Sequence, residues 1–166
     1  IETIIVDYID NKDSIEKTLS YKKLIRKKSK VSYEQLPFSH PLYIMFSSGT
    51  TGKPKSIVHS AGGTLLQHLK ELVLHSDISA DDKVFYFTTC GWMMWNWLVS
   101  NLAIGATIVL YDGDVFYPKV KTFLQHIDSS GVTVFGTSAK YISTLQANNM
   151  HPAIFGSFKK LRLILS

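Results

Sequence analysis

From Lys83 onward the chain alternates short β-rich apolar runs with stretches of helical spacing. The order is "KVFYFTT", "WMMWNWLVSNLA" closed by Gly105, "TIVLYD", a stretch around "PKVKTFLQHIDSS" closed by Gly131, "VTVFGTS", "AKYISTLQANN" and "LRLILS". Few folds accommodate that order. Strand–helix–strand repetition with apolar, β-branched strands predicts an α/β fold: a mostly parallel sheet covered by helices. In such sheets ligands bind at the carboxyl ends of the strands, which directs attention to the loops after Phe46, Thr89, Asp112 and Thr137.

The preceding residues read differently. "TIIVDYI" is a strand pattern, and a basic segment follows it. Asp13 or Ser14 is placed to cap a helix there, with Ile15, Leu19 and Leu24 loosely periodic. Lys12 to Lys30 holds eight Lys/Arg against two acidic residues, which exceeds the whole chain's net charge of +5. A nucleic-acid surface would interleave aromatics among those charges, and only Tyr21 does so. The segment reads as a solvated helix and linker, with nucleic acid set aside. "SYEQLPFSHP" is a linker with two prolines. "LYIMF" and "SIVHS" are short strands, and "AGGTLLQHLKELVLHSDI" has helical spacing at Leu65, Leu66, Leu69, Leu72 and Val73. Residues 1–35 are thus expected to end one subdomain, and residues 36–166 to form another.

With 166 residues, 45% of them hydrophobic, the chain is long enough for one core. A single cysteine, Cys90, excludes an internal disulfide framework and fits a reducing compartment. No basic leader precedes an apolar run at the start, and no apolar run of roughly 18 residues is present. The expectation is a cytoplasmic protein without a membrane span. The sequence opens without methionine inside a strand pattern and closes inside another, so a fragment is expected.

Between "LYIMF" and "SIVHS" lies "FSSGTTGKPKS", Phe46 to Ser56. Gly49 and Gly52 let backbone N–H groups turn toward a ligand. Ser47, Ser48, Thr50 and Thr51 add hydroxyl donors, and Lys53 and Lys55 add positive charge. That is chemistry for phosphate, although an ordinary surface turn has a similar composition. It is not the common nucleotide loop, which puts four residues between its glycines and opens a helix after Lys-Ser/Thr. Here two residues separate the glycines, and Pro54 holds Lys53 extended, so the chain leaves as a strand. Without a helix dipole, hydroxyls and lysines must supply the attraction, as in a loop that closes over a polyphosphate.

"IMFSSGTTGKPK", Ile44 to Lys55, resembles at every position the signature loop of the adenylate-forming, AMP-binding superfamily of acyl-CoA synthetases, luciferases and peptide-synthetase adenylation domains. "SIVHSAGG" is similar to the strand and helix start that follow in that family, and "VFYFTTCGWMMWNW" to its next aromatic motif. The wording of "LPFSHPLYIMFSSGTTGKPK", "VHSAGGTLLQHLKE", "TTCGWMMWNWLVS" and "GATIVLYDG" resembles the branch that joins acetoacetate to CoA. The likeness runs from about Leu36, and one departure is Ser56, where the wider family usually has glycine. On this resemblance residues 36–166 are part of an AMP-binding domain.

The resemblance implies ATP, Mg2+ and CoA as reaction partners, with a short-chain acid (acetoacetate, or else acetate or propionate) activated as its adenylate. It implies that Ser48, Gly49, Thr50, Thr51, Gly52 and Lys53 hold the β/γ-phosphates, with Lys55 as a supporting charge. Trp92, just past Gly91 at a strand end, is a candidate wall for the acyl group, and Gly136 and Thr137 are candidates at the acyl/CoA site. The family's Thr-Glu motif and late catalytic lysine do not occur in these residues, so no catalytic residue is expected among them, and a non-catalytic nucleotide-binding fragment is the alternative.

The other chemical residues have plainer readings. Trp95 and Trp97 are expected as helix packing, with Trp92 and Trp95 spaced for one face. His40 and His59 read as structural. His68 and His75 lie too far apart on a helix to share a metal. Cys90 reads as a buried, inert thiol, and Asp112 and Asp114 as turn formers around Gly113.

Overall fold

A computed structural model describes residues 3–6, 17–26, 28–48 and 52–166. The chain divides into two compact units, residues 1–36 and 37–166.

In the first unit β1 (Thr3–Ile5) pairs in parallel with β2 (Thr18–Ser20). A single helical turn, α1 (Tyr21–Leu24), follows. This corrects the expected helix through the basic segment. Thr18 and Leu19 find backbone partners in β1, and Lys22 and Arg26, four residues apart, would stack like charges on one helix face. The capping positions Asp13 and Ser14 lie outside the described residues.

The second unit opens with an antiparallel hairpin, β3 (Pro41–Ser47) and β4 (Lys55–Ser60), in which Tyr43 faces His59 and Ser47 faces Lys55. Helix α2 (Ala61–Leu69) continues into a wider π turn over Lys70–His75, where a plain α-helix was expected. The turn's last free groups are satisfied by Ser76 N–H on the Glu71 carbonyl and Ile78 N–H on that of Leu72. Then come β5 (Lys83–Tyr86), α3 (Met93–Ser100), β6 (Thr107–Val109), α4 (Val120–Ser129), β7 (Val134–Gly136), α5 (Ala139–Ala147) and β8 (Leu163–Leu165). A 3₁₀ turn, Asn101–Ile104, ends α3, and Gly105 closes it with φ of +79°, a left-handed conformation that glycine adopts without penalty.

Strands β6-β5-β7-β8 form one parallel sheet in that order. Period-two alternation sorts its core. Phe85 and Phe135 point to one face, where their rings stack at 5.5 Å, and α4 and α5 cover them with Phe123, Leu124, Ile127, Tyr141 and Leu145. Val84 and Val134 point to the other face, against Leu72, Ile78, Trp97 and Leu98. Helix α4 buries Val120, Phe123, Leu124 and Ile127, the i, i+3, i+4, i+7 stripe of a helix lying on a sheet.

A polar clamp ties the amino ends of three strands. The buried Asp82 carboxylate accepts from Ser79 N–H at 2.8 Å, Thr133 Oγ1 at 2.6 Å and the Arg162 guanidinium at 2.8 and 3.0 Å. Arg162 also donates to the Asp77 carbonyl at 2.6 Å. These bonds, Arg162's first of all, hold the Asp82 carboxyl far below the usual carboxylate range.

Candidate functional site

The loop-bearing end of the hairpin collects the predicted phosphate group. Antiparallel pairing sets Phe46 opposite Ser56 and Ser47 opposite Lys55, so Ser48, Lys53 and Lys55 emerge at one open end, all exposed. Gly49, Thr50 and Thr51 lie outside the described residues. Gly52 has φ of +89°, and among the described residues no atom lies near the position a Cβ would take. Backbone conformation, not space, therefore calls for glycine there. The chain re-enters as a strand directly after Pro54, as the proline required.

The second collection lies at the carboxyl ends of the parallel strands. Gly136 ends β7, and the Tyr86 ring from β5 fills the place a Cβ would take there. That ring meets Trp97 edge-on at 6.0 Å. Thr137 is 2% exposed, and its N–H donates to the Leu165 carbonyl at 2.9 Å. Beside it, Phe87 N–H donates to the Gly136 carbonyl at 2.9 Å, one residue beyond the end of β5. A cleft of about 450 Å³ opens there, lined by Thr88, Thr89, Cys90, Trp95, Tyr111 and Asp112.

Two readings change at this edge. Cys90 is exposed, not buried, because it sits in the turn beyond the strand. Trp92 does not share a helix face with Trp95. It precedes α3 as its extended N-cap residue and is 70% exposed, whereas Trp95 turns into the cleft and Trp97 is buried in the core. Asp112 and Asp114 flank a turn as expected, with the Asp114 carboxylate accepting from Phe116 N–H at 2.6 Å.

The histidines separate. The exposed His40 offers its carbonyl to Ala61 N–H at 2.8 Å, and the His59 ring rests against Tyr43 at 5.1 Å. His75 is exposed, while His68 is buried with its Nδ1 2.8 Å from Ser100 Oγ. Burial chiefly, with the neighbouring His59 charge, pushes the His68 pKa down, against the opposing pull of Glu71. The His68–Ser100 pair was not legible in sequence, since its partners are 32 residues apart. Among the described residues no group of three or more acidic, imidazole or thiol side chains is placed to hold a metal.

The sequence from residue 2 to residue 166 matches the AMP-binding enzyme family. The chain belongs to that family. It is 53% identical over 136 residues to acetoacetyl-CoA synthetase of Danio rerio, a match covering 82% of this chain and 20% of the relative. It is 50% identical over 133 residues to malonamoyl-CoA synthetase of Penicillium aethiopicum, covering 74% of this chain and 18% of that protein. The solved acetoacetyl-CoA synthetase of Streptomyces lividans overlays with a TM-score of 0.83 at 43% identity, covering 92% of this chain and 24% of that one. The chain thus spans about a fifth of the length of the curated relatives it matches. The α/β architecture read from strand and helix alternation is that of these adenylate-forming enzymes. Among the described residues no helix is long and apolar enough to cross a membrane.

Proposed function

We propose that this chain is the phosphate-loop portion of an ATP-dependent ligase that activates acetoacetate and transfers it to CoA. The observation that carries this reading is the agreement with acetoacetyl-CoA synthetases in both sequence and fold over most of the chain. The acid's carboxylate oxygen attacks the α-phosphorus of ATP, forming the acyl-adenylate and expelling pyrophosphate. The CoA sulfur then attacks the acyl carbon and AMP leaves. Negative charge grows on the departing pyrophosphate, and donors fixed around it lower that barrier.

Ser48, Gly49, Thr50, Thr51, Gly52 and Lys53 are assigned to the β/γ-phosphates and Lys55 to a supporting charge. Mg2+ is assigned to the triphosphate it accompanies, where it would neutralise part of the charge. Trp92, exposed as the N-cap residue of α3, is assigned to the acyl wall, and Gly136 and Thr137 to the acyl/CoA side. The acting protein is placed in the cytoplasm, with small molecules as its partners and neither nucleic acid nor membrane.

A second reading has its own support in the malonamoyl-CoA synthetase likeness. Malonamate and acetoacetate both carry a carbonyl two carbons from the carboxylate, and differ by an amide NH2 for a methyl. Acid-dependent pyrophosphate exchange by the full-length protein tests both. Exchange strongest with acetoacetate supports the first reading, exchange strongest with malonamate supports the second, and preference for acetate or propionate removes both. A Trp92→Ala enzyme that kept its preference for acetoacetate over longer acids would remove Trp92 from the acyl wall.

A further inference from the structure

The basic segment of the first unit is used by none of the roles above. From Lys17 to Tyr33 the sequence holds seven Lys/Arg and no Asp or Glu. Four of the seven, Arg26, Lys27, Lys28 and Lys30, stand within three residues of one hydroxyl, that of Ser29. The structure adds a second, independent property. Helix α1 ends at Leu24, residues 28 to 37 form neither helix nor strand, and every one of residues 28 to 40 is exposed. Even Val31 and Tyr33, side chains that a core would take, are 74% and 83% exposed. Ser29 is therefore an open hydroxyl on irregular, solvated backbone, with cations before and after it in the chain.

The other hydroxyls of the segment lack one of these two properties. Thr18 and Ser20 belong to β2, where they pair with Thr3 and Ile5. Ser32 is exposed, but the residue three before it is Ser29 itself, and Glu34 follows two after. Enzymes that modify hydroxyls on accessible chain discriminate among them by charge pattern. An acidic substrate groove gains from cations ahead of the hydroxyl and loses from a carboxylate beside it. By that criterion Ser29 is selected and Ser32 is not.

We propose that Ser29 is a phosphorylation site for a serine/threonine kinase that selects basic substrates. Ser29 Oγ attacks the γ-phosphorus of the kinase's ATP. The new O–P bond forms as the bond to the β,γ-bridging oxygen breaks, ADP leaves with that electron pair, and the hydroxyl proton passes to the kinase's catalytic aspartate. The phosphate brings roughly two negative charges. Arg26, Lys28 and Lys30 then have an anion to share in charge-assisted hydrogen bonds, where before they only repelled one another. Phosphorylation thus turns a self-repelling segment into a self-paired one. The site does not depend on the ligase reading.

The test uses the full-length protein without acid or CoA. The catalytic subunit of the cyclic-AMP-dependent kinase serves as the basic-directed probe and casein kinase 2 as the acid-directed one. Tandem mass spectrometry is expected to place phosphate from the first probe on Ser29, and the second probe should leave Ser29 bare. Ser29→Ala should abolish that label. Arg26→Ala should slow it about 10-fold, the scale of losing a hydrogen bond to a charged group. Protein isolated from the cells that make it, with phosphatases inhibited, should carry phosphate at Ser29. Brief trypsin digestion checks access independently, with the first cuts expected after Arg26, Lys28 or Lys30. Phosphate placed only on other hydroxyls, equal labelling of Ser29 by both probes, or indifference to Arg26→Ala overturns the proposal. So does a segment closed to trypsin, or a bare Ser29 in the isolated protein. None of these measurements needs turnover, so they fail separately from acid-dependent pyrophosphate exchange, whose absence would remove the ligase reading instead.

Discussion

The parallel sheet and the hairpin are built from similar apolar residues, yet they are finished to different degrees. Val84, Phe85 and Val134 in the sheet are sealed between helices, and the Asp82–Arg162 clamp locks their amino ends. In the hairpin Ile44, Phe46, Ile57 and Val58 are each about half or more exposed, so β3 and β4 are joined by backbone hydrogen bonds while burying little side chain. A two-stranded ribbon of that kind contributes little stability by itself. The sheet therefore holds the fold, and the hairpin holds the charged loop. Stability and phosphate chemistry should be separable by mutation.

The largest expected effect tests the loop. Thr50→Ala, Thr51→Ala and Lys53→Ala together should lower pyrophosphate exchange by about 10³-fold, the scale of losing donors aimed at developing charge. The unfolding free energy in urea should change by less than about 0.5 kcal/mol, because the parallel sheet and not the loop holds the fold. A stability loss matching the activity loss would erase the distinction between the two regions.

Next is Asp82→Ala. It strands the Arg162 guanidinium, Thr133 hydroxyl and Ser79 N–H, and should cost roughly 2–3 kcal/mol in urea unfolding, below the cost of a fully buried pair because Arg162 is partly solvated. The pH dependence has a definite sign. The folded carboxyl has a depressed pKa, so its contribution is present above the unfolded aspartate value of about 3.9 and is lost as pH falls toward the folded one. The difference between wild type and Asp82→Ala should hold from pH 5 to 8 and shrink below about pH 4. A difference that grows on acidification would show that Asp82 is not the clamp's charged centre.

How much of this was legible in the sequence follows the same division. The order of β5 to β8 with their helices was readable because each element carries its own period and glycine stop: Gly105 and Gly131, both at positive φ, end the segments the pattern ended. The hairpin's strands were readable for the same reason, and Pro54 told how the loop is left. What failed was long-range. The basic segment looked helical until β1 gave Thr18–Ser20 a partner, and the π turn at Lys70–His75 has no periodic signature distinct from a helix. The His68–Ser100 pair joins residues 32 apart, and the clamp depends on Arg162, 80 residues from Asp82. No local pattern encodes such pairs.

Gly136→Ala is expected to act at the junction of stability and site, with an intermediate effect. The new methyl meets the Tyr86 ring, which is itself braced by Trp97, so overpacking should cost about 1–2 kcal/mol in urea unfolding. An unchanged midpoint would mean that Tyr86 swings away freely and that the sheet's carboxyl edge is looser than its amino edge.

The smallest effect is the sharpest probe of the hairpin. Phe46 is 70% exposed in β3 opposite Ser56, so Phe46→Ser removes almost no buried area. Strand preference alone disfavours serine, and the expected cost is below about 0.5 kcal/mol. The loop it feeds should keep its pyrophosphate exchange, since Ser47 still pairs with Lys55. A loss above about 1.5 kcal/mol, the scale of a covered aromatic, would mean that the hairpin face packs against further protein in solution. The contrast between a finished sheet and an open hairpin would then belong to this chain alone and not to the working enzyme.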